Sequence, residues 1–311
     1  MTRNISIAFS AHKGRKENIG DILSALALAQ LYKIDNPILH NLRYSPNIKT
    51  KFTIYGGGGM IRPEFADREV AKSLSTDISY AIDGVGLNTD VHSLKMNDDD
   101  KKSIKKWFEC AQFASVREFD TAEFLRNNFM LEVNVLPCPA YRILSSLQKP
   151  LNQTKFKIGI VPSFGHTKNY LNYLNDIVGL IRSFEKSIHK NEICLICHDS
   201  QDASFAIKHF DMKVIQPISF EDVKCAYDQV DNIITARAHG LIFSAARGRP
   251  CSYLGLADKL AFLYRYHYDT NHNEQPLDFD AKSHLMRLEK ASLPKNIAFT
   301  KHTLDLEGIF D

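Results

Sequence analysis

Short apolar runs alternate along this chain with longer amphipathic stretches, and they do so in two separate series. In the first, Ile5–Phe9, Phe52–Tyr55, Tyr80–Val85, Phe113–Val116 and Val133–Leu136 read as buried strands, with helices over Asp21–Tyr32, Asp98–Cys110 and Thr121–Asn127. The segment Gln148–Lys157 is polar, carries a proline and has the composition of a linker. After it come strands at Lys157–Val161, Glu192–Cys197, Lys213–Ile215, Asn232–Ile234 and Cys251–Leu254, and helices at Tyr173–His189, Phe220–Gln229 and Gly240–Arg247. Strand–helix alternation closes right-handed βαβ units onto a parallel sheet. Two such series predict an α/β protein of two Rossmann-like, doubly wound domains facing across a cleft. The expected domains are 1–147 and 155–270, with 271–311 as a tail returning to the first. Ligands of such sheets lie outside the carboxyl ends of the strands, so the cleft is the expected site.

The 311 residues carry a net charge of +3. So small an excess argues against a dedicated nucleic-acid binder, which needs a concentrated basic face. No stretch is apolar enough for a membrane span. The N-terminal residues lack the apolar core of a signal peptide, so the six cysteines are expected reduced in a cytoplasmic protein. Cys194-Leu195-Ile196-Cys197-His198 formally matches a haem-attachment motif. In a strand, however, residues three apart point to opposite faces, and no further zinc-ligand pairs exist in the sequence. The expectation is therefore buried cysteines, with neither metal nor cofactor.

Chemistry is expected at three places. Gly56-Gly57-Gly58-Gly59 follows a strand directly. Its backbone N–H groups suit an anion, and so does a tight turn that lets two elements approach; both readings stand. Asn18-Ile19-Gly20-Asp21 opens the first helix, where Asp21 reads either as its N-cap or as an acceptor for a proton or a sugar hydroxyl. Thr235-Ala236-Arg237-Ala238-His239-Gly240 lies between a strand and a helix. An arginine fork there suits a bidentate anion, and a histidine two positions on can exchange a proton near neutral pH. Arg117 and Lys259 likewise follow strands. The Asp98-Asp99-Asp100 run reads as a solvated helix start rather than a metal site.

Taken in order, NIGDILSALAL (18–28), YGGGGMI (55–61), IDGVGLN (82–88), SVREFDTAEFL (115–125), LPCPAYRIL (136–144) and TARAHGLIFSAARGRPCSYLGLADKLAFL (235–263) resemble the polysaccharide pyruvyl transferase family. The last block is the most specific, with Arg237, His239, Gly248, Pro250 and Lys259 on the family pattern. Cys138 and Glu118 stand where family members often carry aspartate. The resemblance implies a GT-B-like pair of domains and transfer of pyruvate from phosphoenolpyruvate, as co-substrate, to two hydroxyls of a sugar or lipid-linked oligosaccharide, closing a ketal. It also implies work at the inner face of the cell membrane.

On that resemblance Arg237, Arg117 and Lys259 are the expected cations for phosphoenolpyruvate, with Gly57, Gly58, Gly59 and Gly20 as backbone donors. His239 is expected to protonate the methylene carbon or to hold phosphate, and Asp21 or Glu118 to deprotonate the acceptor hydroxyl. Two other readings remain open in the sequence. One is a glycosyltransferase of the same build using a nucleotide sugar; the other is a non-catalytic binder of anionic ligands.

Overall fold

A computed structural model describes residues 5–9, 18–41, 50–62, 79–88, 96–148, 154–164, 173–268 and 278–297. The chain forms two compact units. The first comprises Met1–Lys13, Gly20–Ile143 and Ile297–Asp311, and the second Gly14–Ile19 and Leu144–Asn296.

The first unit is a parallel sheet of β1 (Ile5–Phe9), β2 (Ile38–Asn41), β3 (Phe52–Gly56), β4 (Gly59–Ile61), β5 (Ser79–Leu87), β6 (Ala114–Val116) and β7 (Asn134–Val135). Its order is β2-β1-β3-β5-β6-β7, with the short β4 beside β5. The strands read as continuous apolar runs because helices cover both faces of such a sheet; β1 and β3 are buried along their whole length. Connections leave β1 towards β2 and then reverse towards β3, so the carboxyl ends of β1 and β3 mark the switch point where such sheets hold ligands.

Helices α1 (Ile19–Leu31), α2 (Asp98–Glu109), α3 (Phe119–Phe129) and α4 (Pro139–Ser146) complete this unit's described segments, the last running three residues past its boundary. The acidic run opens α2 through a capping box: the Asn97 side chain accepts from the Asp100 N–H, and the Asp100 carboxylate accepts from the Asn97 N–H. Asp83, fully buried in the middle of β5, ties three elements together. Its Oδ2 accepts from Tyr32 Oη (2.6 Å) and Arg142 Nη2 (2.6 Å), and its Oδ1 accepts from Ser115 Oγ (2.9 Å). Beside this carboxylate, burial pushes the Tyr32 hydroxyl well above its ordinary pKa.

The second unit orders β8 (Phe156–Val161), β9 (Ile193–Ile196), β10 (Lys213–Ile215), β11 (Val230–Thr235) and β12 (Cys251–Tyr253) as β10-β9-β8-β11-β12. All of its pairs are parallel, and its switch point lies at the carboxyl ends of β8 and β11. Its helices are α5 (Leu174–Ser187), α6 (Ser200–His209), α7 (Phe220–Asp228), α8 (Ala238–Ala246), α9 (Asp258–His267) and α10 (Ala281–Glu289). Ile158, Ile160, Ile181, Phe184, Leu195 and Ile234 form the centre of its core.

Helix α10 packs on the second unit, where Ala281 and Leu288 join its core and His284 Nδ1 lies 2.8 Å from Ser252 Oγ on β12, while Ile297–Asp311 groups with the first unit. Arg247, at the end of α8, grips Asp228 through two nitrogens and the carbonyls of Leu144, Leu147 and Gln148.

Asp83 accepts from three side chains in a fully buried position, so removing its charge weakens the pairing of the buried Arg142 guanidinium. Asp83→Asn is expected to cost about 3–5 kcal/mol, the usual effect of breaking a buried pair from one side. Urea unfolding of the variant checks this, and a loss below about 1 kcal/mol would show the pair to be dispensable.

Candidate functional site

The second unit's switch point is built around one turn. Thr235 ends β11, and its hydroxyl accepts from the Arg237 N–H (2.9 Å) and donates to the Arg237 carbonyl (3.0 Å). Gly240 lets α8 start that close to the strand, since a Cβ there would stand 2.2 Å from Thr235 Oγ1. The turn holds Arg237 at the N-cap position and His239 in the first turn of α8, where N–H groups at the positive end of the helix favour an anion.

The Arg237 side chain is 9% exposed and held from two neighbouring strand ends. Its Nε donates to the Pro162 carbonyl (2.8 Å) just after β8. Its Nη2 donates to Asp199 Oδ2 (2.7 Å) and to Asp202 Oδ2, both beyond β9. Asp199 also caps α6 by accepting from the Asp202 N–H (2.8 Å), and Asp202 Oδ1 accepts from the Phe164 N–H (3.1 Å). The fork expected to grip an anion bidentately is therefore largely committed to protein; Nη1 is its nitrogen with no hydrogen bond among the described residues. The His239 ring is buried against Phe243, with centroids 5.7 Å apart. Lys259 lies half-buried in the first turn of α9, after β12.

In the first unit, the switch point is framed by the glycine run after β3 and the start of α1. Gly57 has φ +67, and a Cβ there would stand 2.2 Å from Ser24 Cβ on α1. The run thus lets β3 and α1 approach closely, while Gly58 (φ +92) continues the turn and Gly59 enters β4. Gly20 and Asp21 both lie inside the first turn of α1, which begins at Ile19. The capping reading of Asp21 is corrected accordingly: it is a buried carboxylate of the first turn, one position past Gly20, whose carbonyl accepts from Ser24 Oγ (2.8 Å).

Arg117 and Glu118 follow β6, both about 1% exposed. Arg117 lies against Gly86, donating through Nε to Glu118 Oε2 (2.9 Å), while Glu118 Oε1 accepts from the Thr121 hydroxyl. Burial pushes the Glu118 carboxyl above its ordinary range, and the Arg117 guanidinium and Thr121 hydroxyl pull the other way. Both oxygens are engaged, whereas Arg117 Nη1 and Nη2 make no hydrogen bond among the described residues.

The sequence-predicted residues thus fall into groups at the carboxyl ends of the strands: Arg237, His239 and Lys259 in the second unit, and Gly20, Asp21, Gly57, Gly58, Gly59, Arg117 and Glu118 in the first. Sequence reasoning missed Asp199, Asp202 and His198. The two aspartates stood in a polar stretch after a strand, and Asp199 had a helix-cap signal. His198 was seen only as the end of the haem-like motif. It is buried, with Nε2 2.9 Å from Tyr227 Oη and its ring 5.4 Å from that of Phe243. Neighbouring Cys194 is buried in β9, which pushes its thiol up to about 12. Among the described residues, no group of three His, Cys, Asp or Glu is placed to hold a metal ion, and no helix is long and apolar enough to cross a membrane.

The family model described as polysaccharide pyruvyl transferase matches residues 18–258. No curated protein matches the chain. Among solved structures, UDP-GlcNAc 2-epimerase from Methanocaldococcus jannaschii, in complex with UDP-GlcNAc and UDP, shares 13% identity over 99% of each chain, with a TM-score of 0.58. The MnaA–UDP structure from S. aureus shares 11% identity, covering 81% of this chain and 79% of that one, with a TM-score of 0.51. The wall teichoic acid polymerase TagF (H548A) shares 11% over 94% of this chain and 80% of its own, with a TM-score of 0.50. At such identities the likeness is one of fold: two parallel α/β units in series, the GT-B-like architecture.

Burial pushes His198 down to about 3, against about 6.5 for a histidine in an unfolded chain. Between these values the unfolded chain binds the extra proton, so stability falls as pH drops through this window. His198→Asn is expected to flatten the dependence by up to about 1.4 kcal/mol per pH unit. Chemical unfolding of both proteins from about pH 4 to 6.5 checks this; parallel pH profiles would show that His198 titrates normally.

Proposed function

The chain belongs to the polysaccharide pyruvyl transferase family, and from that premise we propose that it moves pyruvate from phosphoenolpyruvate to two hydroxyls of a sugar. The acceptor is a cell-surface polysaccharide or its lipid-linked precursor, and the product is a cyclic ketal. The observation that carries this reading is the pairing of Arg237 and His239 on one turn at a sheet's switch point, within the matched region.

The enol phosphate of phosphoenolpyruvate is inert to a hydroxyl until its methylene carbon gains a proton. That proton turns the methylene into a methyl group and leaves C2 electron-poor. One sugar hydroxyl adds to C2 and gives up its proton to a base; the C2–O bond to phosphate then breaks with its electron pair leaving on phosphate, and the second hydroxyl adds to C2, passes its proton to the departing phosphate and closes the ketal. No water is consumed, and the products are the ketal and phosphate.

In this scheme His239 delivers the first proton. Arg237 Nη1, the two Nη atoms of Arg117, Lys259 and the first turn of α8 supply positive potential for the carboxylate and phosphate. The glycine run and the start of α1 are auxiliary donors. Asp21 takes the base role. Glu118, with both oxygens engaged, serves instead to hold Arg117. The scheme calls for no cofactor or metal, and the acceptor's lipid carrier places the work at the inner face of the membrane.

A nucleotide-sugar glycosyltransferase is the second reading, favoured by the fold shared with the UDP-bound epimerase structure. Thermal shift separates the two, because phosphoenolpyruvate, and not UDP or GDP, is expected to stabilise the protein. For the chemistry, His239→Ala is expected to lower turnover by about 10²–10⁴, the usual worth of a general acid, with phosphoenolpyruvate affinity largely kept. Mass spectrometry of a sugar panel incubated with phosphoenolpyruvate reads the ketal directly. Near-normal turnover in His239→Ala would remove His239 from the acid role.

A further inference from the structure

We propose that Asp199 and Asp202 are positioning residues of the anion site, fixing Arg237 so that Nη1 alone is offered to a phosphate or carboxylate group. The inference rests on the proposed donor site and adds to it two residues that no motif marked. Three neighbouring strand ends contribute to the grip: Pro162 beyond β8, Asp199 and Asp202 beyond β9, and Arg237 itself beyond β11. The aspartates are themselves anchored, Asp199 by the Asp202 N–H and Asp202 by the Phe164 N–H. Both carboxylates are at most 2% exposed. A long, flexible side chain is thereby held in one orientation before any ligand arrives, which removes an ordering cost from binding.

Charge alone argues the opposite. Carboxylates beside the guanidinium offset the positive potential it offers to an anion. If Asp202 acted only through its charge, neutralising it would tighten anion binding. If it acts by positioning, neutralising it frees the guanidinium and weakens binding. The two roles differ in sign, so one substitution separates them.

Asp202→Asn keeps the shape and loses the charge, with Asp199→Asn as an independent second variant; circular dichroism and thermal melting establish that each folds. Titration calorimetry with phosphoenolpyruvate and with inorganic phosphate reads binding without turnover, and steady-state assays read KM and kcat. The expected result is a Kd and KM for phosphoenolpyruvate raised about ten-fold, worth about 1.4 kcal/mol, with kcat changed less than about two-fold. Asp202→Glu, which retains the ion pair, is expected to recover part of the loss. Unchanged or tighter binding in both asparagine variants overturns the proposal, as does a wild-type protein that binds neither anion. Weakened binding in the variants with no ketal formed by the wild type would leave the positioning role standing and overturn the pyruvyl transfer instead.

Discussion

A guanidinium buried in a protein interior must be paired, because its desolvation is not otherwise offset. The candidate site follows from this constraint. Arg237 is largely kept out of water, and the cost of burying its charge is offset by Asp199, Asp202 and the Pro162 carbonyl, which accept its N–H groups. The order β9-β8-β11 sets their strand ends side by side, so the sheet topology and the ion-pair network specify each other. The first unit applies the same rule on a smaller scale, where Arg117 is held by Glu118 and Glu118 by Thr121.

Holding cations in this way suits a small, highly charged ligand. Fixed donors need no reorganisation when charge develops, and a parallel sheet gathers helix N-termini along the same edge. The start of α8 adds its N–H groups to the neighbourhood of Arg237 and His239, and the start of α1 does so beside the glycine run. The arrangement agrees with membership of a family of polysaccharide-modifying transferases. It also accounts for conflicting demands on single residues: Glu118 and Arg237 looked like reactive groups in the sequence, yet much of their hydrogen-bonding capacity serves to hold something else.

The strands were legible because both faces of the sheets are covered, so they appear as unbroken apolar runs; Ile5–Phe9 and Lys213–Ile215 begin and end where the sequence placed them. Less legible were β2, β4, α4, α6, α9 and α10. The strand β4 is three residues long and grows out of a glycine run, and α6 (SQDASFAIKH) has little apolar periodicity beyond its buried Ala203 and Ala206. The helix α10 packs on the second unit, and its mixed face does not say which core will accept Ala281 and Leu288. In the site, Arg237 and His239 were recognisable from their place after an apolar strand, and Arg117 likewise. Asp199 and Asp202 were not, because they lie 38 and 35 residues from Arg237 along the chain.

The amino-acid order by itself determined the strand and helix pattern, the two-series α/β organisation, and the presence of Arg237 and His239 at a strand's carboxyl end. Those features are local, set by hydrophobic periodicity and by the residues that flank each run. Only the tertiary structure decided which carboxylates meet which guanidinium, that Asp21 sits inside its helix rather than capping it, and that the glycine run serves a close approach to Ser24. Such contacts depend on strand order in the folded sheet. A sequence does not display that order, because hydrogen bonds and ion pairs select partners by distance in space rather than by separation along the chain.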